Sequence, residues 1–182
     1  MVVLKGPRSA SVTVTIKGAE IKSDQHMDYL GVRFTRGGEF SGHIRAVTDR
    51  TRAKVETMRK LMPKIGGPGY VTRRILCSVM HGQLLYAATV WRDALKVQRN
   101  MQRMVSTQRL GLLRVASAYR TVSAEAVQVI SGYPPIDLMV AKRCFLYTVG
   151  GRLPGNRRMA RVRTIKKWQE RWRREDRVAG WT

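Results

Sequence analysis

From Ser41 onward the apolar side chains recur mostly three, four or eight positions apart, a spacing that places them on one side of an α-helix. This first stretch reaches Met62, and arginines and lysines fall between its apolar positions. Pro63 and the run Gly66-Gly67-Pro68-Gly69 should end the helix, because proline restricts the residue before it and glycine favours left-handed caps. We therefore predict a long basic helix over residues 41–62, followed by a corner between two helices.

Apolar spacing and capping residues predict five further helices. Ser123 stands where an N-cap would open a short helix and Gly132 where a C-cap would end it, while Pro134 and Pro135 suit the start of the next. The predicted helices cover residues 71–95, 98–115 and 124–130, a stretch from Pro134-Pro135 through Phe145 and Tyr147, and a basic stretch after Leu153-Pro154-Gly155-Asn156. The apolar positions of the predicted helix 71–95 are Ile75, Leu76, Val79, Leu84, Leu85 and Val90.

The first forty residues carry a different pattern. Val12, Val14 and Ile16 alternate with polar residues, which is typical of a half-buried strand, and Lys17-Gly18 should turn the chain. A second extended run from Tyr29 to Phe34 ends near Gly37-Gly38. The predicted fold is therefore mainly α, with a short N-terminal β-strand layer, a helical bundle and a basic C-terminal helix.

The charge of the chain restricts its partners. Its 182 residues include 35 lysines and arginines against 12 acidic residues, a net charge of +23, and the basic residues recur through most of the length. Such a chain attracts polyanions, and nucleic acid is the expected partner. Membranes and acidic proteins are the competing anions, but we find no apolar run of about 18 residues and no signal-peptide pattern. We expect a soluble, intracellular protein with no membrane partner.

Residue patterns for catalysis or metal binding are missing from the sequence. The carboxylates are scattered singly except for Glu175-Asp176, and His26, His43 and His81 stand alone. Cys77 and Cys144 lie far apart without a C-x-x-C pattern, so we expect buried thiols. The glycine run after Pro63 lacks the G-K-[ST] ending of a phosphate-binding loop, which favours the helix corner. We predict no catalytic residue, no metal site and no cofactor in this chain.

Two groups of residues are candidates for nucleic-acid binding. The first group would line one face of a helical layer and contact phosphates, because acidic partners for ordinary surface ion pairs are mostly missing; a solvated surface is the alternative. In the second group two tryptophans would stack on unpaired bases beside arginines; packing onto the helical body is the alternative. The first group is Arg45, Arg52, Lys54, Arg59, Arg73 and Arg74, and the second is Trp168, Arg171 and Trp172.

Several short motifs occur in an order that resembles the reverse transcriptase of non-LTR retrotransposons. The order covers about residues 4 to 148 and resembles the end of the palm followed by the thumb, with the strongest likeness to the type-1 elements that insert into arthropod ribosomal RNA genes. The motifs are Leu4-Lys5-Gly6, Asp28-Tyr29-Leu30-Gly31-Val32, Leu84-Leu85-Tyr86-Ala87-Ala88-Thr89-Val90-Trp91, Gln108-Arg109, Ala118-Tyr119-Arg120-Thr121-Val122-Ser123 and Gly132-Tyr133-Pro134-Pro135-Ile136. Trp168-Gln169, Trp172 and Gly180-Trp181-Thr182 are similar to the linker that follows in this family.

The resemblance implies a division into three parts. Residues 1–40 would be the end of the palm, with a primer-grip-like hairpin at Tyr29, Leu30 and Gly31. Residues 41–150 would form the helical thumb and the helices after it, and residues 151–182 a basic, tryptophan-containing linker helix. Both ends of the chain look cut, and the metal-binding aspartates of the polymerase would lie upstream of Met1.

The resemblance also implies a function. The parent polyprotein would be an RNA-directed DNA polymerase, a nucleotidyltransferase that uses Mg2+ and performs target-primed reverse transcription in the nucleus. This fragment would bind the RNA template, the DNA primer and the remainder of the Pol polyprotein, and would not polymerise alone. The alternatives are a freestanding basic helical nucleic-acid-binding module and an inactive transposon remnant.

Overall fold

A computed structural model describes residues 13–22, 24–35, 37–63, 65–151 and 153–178. Val12, the Leu4-Lys5-Gly6 motif and the closing Gly180-Trp181-Thr182 lie outside these residues. The described chain is mainly α-helical and begins with short strands, so the predicted fold class is confirmed. The elements are β1 Thr13–Ile16, β2 Ala19–Lys22, β3 His26–Tyr29, β4 Val32–Thr35, α1 Ser41–Arg59, α2 Tyr70–Leu84, α3 Ala88–Trp91, a 3₁₀ helix Arg92–Lys96, α4 Gln98–Val115, α5 Ala124–Ser131, α6 Ile136–Val149 and α7 Pro154–Val178.

The four strands form two separate antiparallel hairpins, β1–β2 and β3–β4. The first turns at Lys17 and Gly18, as predicted, and the second at Leu30 and Gly31. All four turn residues have positive φ, the backbone twist that suits a two-residue turn between antiparallel strands. The extended run predicted from Tyr29 to Phe34 is therefore wrong, because the chain reverses inside it.

Hairpin β3–β4 packs against the start of α1. Val32 is buried, and the rings of Phe34 and Phe40 meet edge to face with centroids 5.7 Å apart. The backbone N–H of Arg33 donates to Nδ1 of the buried His43 at 3.2 Å. The hairpin is thereby joined to the helical part of the molecule by both apolar and polar contacts.

The main core lies between the helices. Trp91 is fully buried at its centre, and Leu84, Met104 and Leu112 are also fully buried in the same cluster. Helix α4 contributes to this core while packing against α1, α2 and α5. Helix α7 packs mainly on α6.

The prediction of one continuous helix over residues 71–95 is wrong. Helix α2 ends at Leu84, and the chain turns through Leu85 to Ala87 before α3 begins. Ala87 has φ 49°, which no continuous helix allows. The turn lets the indole N–H of Trp91 donate to the carbonyl of Tyr86 at 2.7 Å, so that the ring can enter the core. The helix is therefore interrupted where the chain turns to bury Trp91 in the core.

Most other predicted elements are confirmed. Helix α4 covers residues 98–115, and the hydroxyl of Ser123 accepts the N–H of Ala126 at the start of α5. Gly132 ends α5 with φ 66°, and α6 begins directly after Pro135. Helix α1 ends at Arg59, three residues before the predicted end, because residues 60–62 form turns rather than a further helical turn.

Candidate nucleic-acid interface

The tip of hairpin β3–β4 projects apolar side chains into solvent. Tyr29 is 58% exposed and Leu30 is 73% exposed. The hydroxyl of Tyr86, in the turn after α2, donates to the carbonyl of Leu30 at 2.9 Å. A Cβ atom on Gly31 would lie 3.3 Å from Cε1 of the same tyrosine, so the ring and the turn are in close approach. The tip therefore exposes two apolar side chains, while its backbone is held in place by Tyr86.

An ion pair joins the two strands below the tip. The Arg33 guanidinium donates to both carboxylate oxygens of Asp28, at 2.9 and 2.8 Å. The hydrogen bond from Arg33 lowers the pKa of the Asp28 carboxyl. His43 accepts the Arg33 backbone N–H at Nδ1, and burial lowers its pKa. A neutral imidazole that accepts at Nδ1 carries its proton on Nε2, which is buried and has no hydrogen-bond partner among the described residues.

Three of the predicted phosphate-binding residues are exposed on α1, Arg45 and Arg59 on one side of the helix and Lys54 on the other. Arg45 is 4.0 Å from Asp49, and Arg59 pairs with Glu56 at 2.8 Å, but all four side chains are more than half exposed. Lys54 is exposed and forms no ion pair with a described carboxylate. Exposed pairs of this kind are weak, so these cations remain accessible to phosphate.

Two other predicted residues are engaged inside the protein. Arg52 donates from Nη2 to the hydroxyl of Ser106 at 2.6 Å and from Nε to that of Thr107 at 3.0 Å, which ties α1 to α4. Arg73 is only 5% exposed. Its guanidinium donates to the carbonyls of Pro63, Pro68 and Arg114 and holds the corner between α1 and α2. The structure does not bring Arg73 to the surface.

Arg74 is half-buried in an aromatic setting. Its guanidinium lies 4.8 Å from the ring centroid of Tyr133 and donates to the hydroxyl of Tyr70 at 3.0 Å. The hydrogen bond to Tyr70 raises the pKa of this already strongly basic group. Arg74 therefore helps to dock α2 onto the segment that follows α5.

The predicted stacking pair lies elsewhere, on α7. Trp168 and Trp172 are half-buried and line a small cleft against α4 and α5, beside Met101. Between them Arg171 forms a two-pronged ion pair with Asp137 at the start of α6. This arrangement favours the packing alternative for the tryptophans.

The structure thus brings together part of the predicted set. Hairpin β3–β4 and α1 are in contact, whereas Trp168, Arg171 and Trp172 belong to the α6–α7 side. Sequence reasoning missed Tyr86, which supports the tip, although it lies inside one of the motifs that carried the resemblance. Arg50, exposed on α1 with a hydrogen bond to the carbonyl of Ala46, was also missed as a candidate. Its basic character and its place between Arg45 and Lys54 were the available signal.

Three further features belong to the described residues alone. Nowhere among them do three or more histidine, cysteine, aspartate or glutamate side chains gather as a metal site would require. None of their helices combines the length and apolar character needed to cross a bilayer. Cys77 and Cys144 are buried free thiols, as predicted, and burial raises the pKa of the Cys77 thiol to about 12.

Comparisons with known proteins identify relatives along most of the chain. It is 28% identical over 94% of its length to the 115 kDa protein in type-1 retrotransposable element R1DM of Drosophila melanogaster, and 27% identical over 79% to a Pol polyprotein from type-1 element R1 2 of Nasonia vitripennis. A further Pol polyprotein from element R1 of Nasonia vitripennis is 30% identical over 63% of the chain. No protein-family model and no solved structure matches the chain.

These alignments cover only part of each relative. The chain spans 19%, 40% and 34% of the lengths of the three proteins. It is therefore homologous to a segment of a longer protein, and the expected resemblance is confirmed at this level. Over most of its length, the chain is a homologue of the proteins of type-1 non-LTR retrotransposons.

Proposed function

We propose that this chain is the segment of a retrotransposon RNA-directed DNA polymerase that grips the template–primer duplex. The observation that carries the proposal is an exposed apolar hairpin tip, at Tyr29 and Leu30, fixed on a helical base beside a helix with outward cations. The homology to Pol polyproteins supports it independently.

The hairpin would position the 3′ end of the primer. A tip that must hold a sugar-phosphate end in place needs a rigid backbone, and Tyr86 supplies one fixing point while the Asp28–Arg33 pair supplies another. Tyr29 and Leu30 offer apolar contact to the sugar and base of the terminal nucleotide. Leu30 and Gly31 have positive φ, which turns the chain sharply enough to expose both side chains.

Helix α1 would hold the duplex through its phosphates. Arg45, Arg50, Lys54 and Arg59 are exposed along this helix, and such contacts position a duplex without reading its sequence. Arg52, Arg73 and Arg74 serve this surface indirectly, because their guanidinium groups hold the helices together. In this proposal the interface depends on exposed cations of α1, chiefly Arg45 and Arg59 on one side of the helix, rather than on the whole predicted set.

Chemistry would be supplied by other parts of the polyprotein. The proposal assigns the Mg2+-binding aspartates to the remainder of the palm, in another part of the polyprotein, and the partners are the RNA template, the DNA primer and the rest of Pol. Target-primed synthesis takes place on chromosomal DNA, so the proposed site of action is the nucleus. Trp168 and Trp172 on α7 serve in the proposal mainly as packing residues.

Charge reversal on α1 tests the proposal. In Arg45→Glu/Arg59→Glu, which alters two exposed arginines on the same side of α1, binding to a fluorescent RNA–DNA duplex should weaken by about tenfold or more at 0.1 M salt. The slope of log affinity against log salt should fall by about two, because two phosphate contacts are lost. Fluorescence anisotropy over a salt series measures both quantities.

The matched control is Arg120→Glu/Arg161→Glu, which changes the net charge equally at two exposed arginines outside α1. It should weaken binding much less and leave the salt slope nearly unchanged. Equal losses in the two double variants would show that only net charge matters, and the assignment of α1 would then be abandoned.

A further inference from the structure

A second basic surface lies away from the hairpin tip. It is an open cleft of about 530 Å³ between α6, the turn that joins α2 to α3, and the start of α7. Thr89 of α3, Arg143, Leu146 and Tyr147 of α6, and Arg157 of α7 contribute to its walls. A cleft of this size falls within the range of small-molecule sites, roughly 300–1,000 Å³, and can hold one nucleotide.

The floor of the cleft is apolar and its rim is aromatic and cationic. Leu85 and Ala88, both buried, line the floor. Tyr147 is 79% exposed, and no hydrogen bond or ring contact engages it among the described residues. Leaving a tyrosine ring in water forfeits apolar burial, so a planar ligand that covers the ring would be favoured.

The two arginines are placed to hold phosphates beside that ring. Arg143 and Tyr147 are one helical turn apart on α6 and therefore share a face. Arg157 donates from Nε to the carbonyl of Gly151 at 2.9 Å, which orients its guanidinium while leaving both Nη groups available. Neither arginine pairs with a described carboxylate.

The other roomy cleft differs in charge. A cleft of about 490 Å³ on the opposite edge of α6 is lined by Asp93 and Asp137 as well as by basic residues. The smaller cleft beside Trp168 contains Glu125 and Asp137. The cleft beside Tyr147 has no acidic lining residue within the described chain, so it is the one of these three whose charge suits an anion.

We propose that this cleft binds single-stranded nucleic acid, with one unpaired base stacked on Tyr147 and the adjoining phosphates held by Arg143 and Arg157. Base–aromatic stacking with neighbouring cations is the usual means of holding unpaired strands without sequence preference. The proposal rests on the proposed function and extends it from the template–primer duplex to the unpaired strand that continues past the duplex.

The position of the cleft is consistent with that extension. The turn after α2 presents Tyr86 to the hairpin tip and, from the next residue on, Ala87 to Thr89 to the cleft. One short segment therefore supports both sites. A template strand that leaves the duplex near the hairpin would have the cleft within reach.

Photo-crosslinking tests the contact directly. A 12-nucleotide RNA that carries 5-iodouracil is irradiated with the full chain, and the tryptic peptides are mapped by mass spectrometry. The expected crosslink falls on the peptide of residues 144–152, in which Tyr147 is the only tyrosine. A crosslink confined to other peptides overturns the proposal.

Affinity measurements separate stacking from charge. Tyr147→Leu should weaken single-strand binding about fivefold or more, whereas Tyr147→Phe, which keeps the ring, should stay within about twofold. Arg143→Gln should weaken it more than Arg158→Gln, a control that removes one exposed charge from α7. Equal affinity of Tyr147→Leu and the unaltered chain overturns the proposal.

Duplex binding distinguishes failure here from failure of the proposed function. The Tyr147 and Arg143 variants should bind a blunt RNA–DNA duplex as the unaltered chain does. If the unaltered chain binds duplex but Tyr147→Leu leaves single-strand binding unchanged, this inference alone fails. If the unaltered chain binds neither ligand, the proposed function fails and the inference fails with it.

Discussion

At the scale of single residues, Gly31 shows how one position connects the hairpin to the helical base. Its φ of +77° lies in the left-handed region, where an L residue is strained. The ring of Tyr86 lies so close that even a Cβ atom would have to displace it slightly. Gly31 therefore serves both the turn and the contact that holds the tip.

Gly31→Ala should loosen hairpin β3–β4. The left-handed backbone costs a non-glycine residue about 1–2 kcal/mol, and the approach to Tyr86 adds to that cost. Amide hydrogen exchange in β3 and β4 should therefore accelerate by about tenfold or more, since tenfold corresponds to ~1.4 kcal/mol.

Gly18→Ala is the matched control for this prediction. Gly18 has φ +81°, and an added Cβ would meet no atom within 4 Å. The substitution should therefore destabilise hairpin β1–β2 through backbone strain alone, without a steric contact. If the two substitutions accelerate exchange equally in their own hairpins, the contact with Tyr86 contributes nothing to fixing the tip.

At the scale of elements, a buried polar network joins α2, α4 and α5. The side-chain amide of Gln108 donates to the carbonyl of Pro134 at 2.9 Å and lies 3.3 Å from Nε2 of His81. Gln128 donates in turn to Oε1 of Gln108 at 3.1 Å. Because the amide nitrogen of Gln108 is a donor, Nε2 of His81 must accept, and the imidazole is neutral.

This network predicts a loss of stability in mild acid. Burial lowers the pKa of His81 from 6.5 to about 4. Between these two pH values the imidazole is protonated in the unfolded chain and neutral in the folded chain. The free energy of unfolding should be highest above pH 6.5 and fall by about 3 kcal/mol as the pH drops to about 4. Urea unfolding at pH 7.5 and 4.5 measures the difference.

His81→Gln is the control, since it removes this titration. The variant is expected to be less stable at pH 7.5, but its stability should depend less on pH than that of the unaltered chain. His43, whose pKa burial also lowers, contributes to both proteins in the same direction. The same pH dependence in both proteins would exclude His81 as the source.

At the scale of the whole molecule, the helical core supports the surfaces to which we assign nucleic-acid binding in our proposal. The hairpin tip extends from one side, the cations of α1 lie beside it, and the cleft at Tyr147 lies past the turn after α2. On none of these surfaces do three or more histidine, cysteine, aspartate or glutamate side chains of the described chain gather as a metal site would require. In our proposal the molecule binds and positions strands, and the polymerisation takes place in another part of Pol.

The proposal makes a prediction for the longer polyprotein. Leu30→Asp should reduce primer extension by about tenfold, equivalent to ~1.4 kcal/mol, because a carboxylate at the tip repels the phosphates of the primer end. Binding of template–primer should stay nearly unchanged, since α1 still holds the duplex. Extension assays and anisotropy on the same preparation separate the two effects.

Leu153→Asp provides the comparison, because Leu153 is 64% exposed in the segment before α7, far along the chain from the hairpin. It introduces the same charge at an equally accessible leucine and should leave extension intact. Normal extension by Leu30→Asp would favour a freestanding binding module or an inactive remnant over a primer grip.

Much of the helical organisation could be predicted locally. Ser123 and Gly132 bound α5 because a hydroxyl and a flexible backbone satisfy helix ends wherever they occur. The motif at Asp28–Val32 indicated where the hairpin tip lies in the sequence. It did not indicate that Tyr86 contacts the tip. That contact joins residues 56 positions apart, and no local pattern reports it.

The sequence by itself determined the mainly helical class, the positions of most helix ends and the strongly basic character, because these depend on neighbouring residues and on composition. Only the tertiary structure decided which side of α2 is buried: Arg73 and His81 lie inside, while Ile75 and Val79 stay exposed. Burial of Arg73 is possible only where three carbonyls from distant segments converge on it. These carbonyls come together only when the chain has folded. The tertiary structure therefore also decides which arginines stabilise the fold and which are exposed and can contact phosphate.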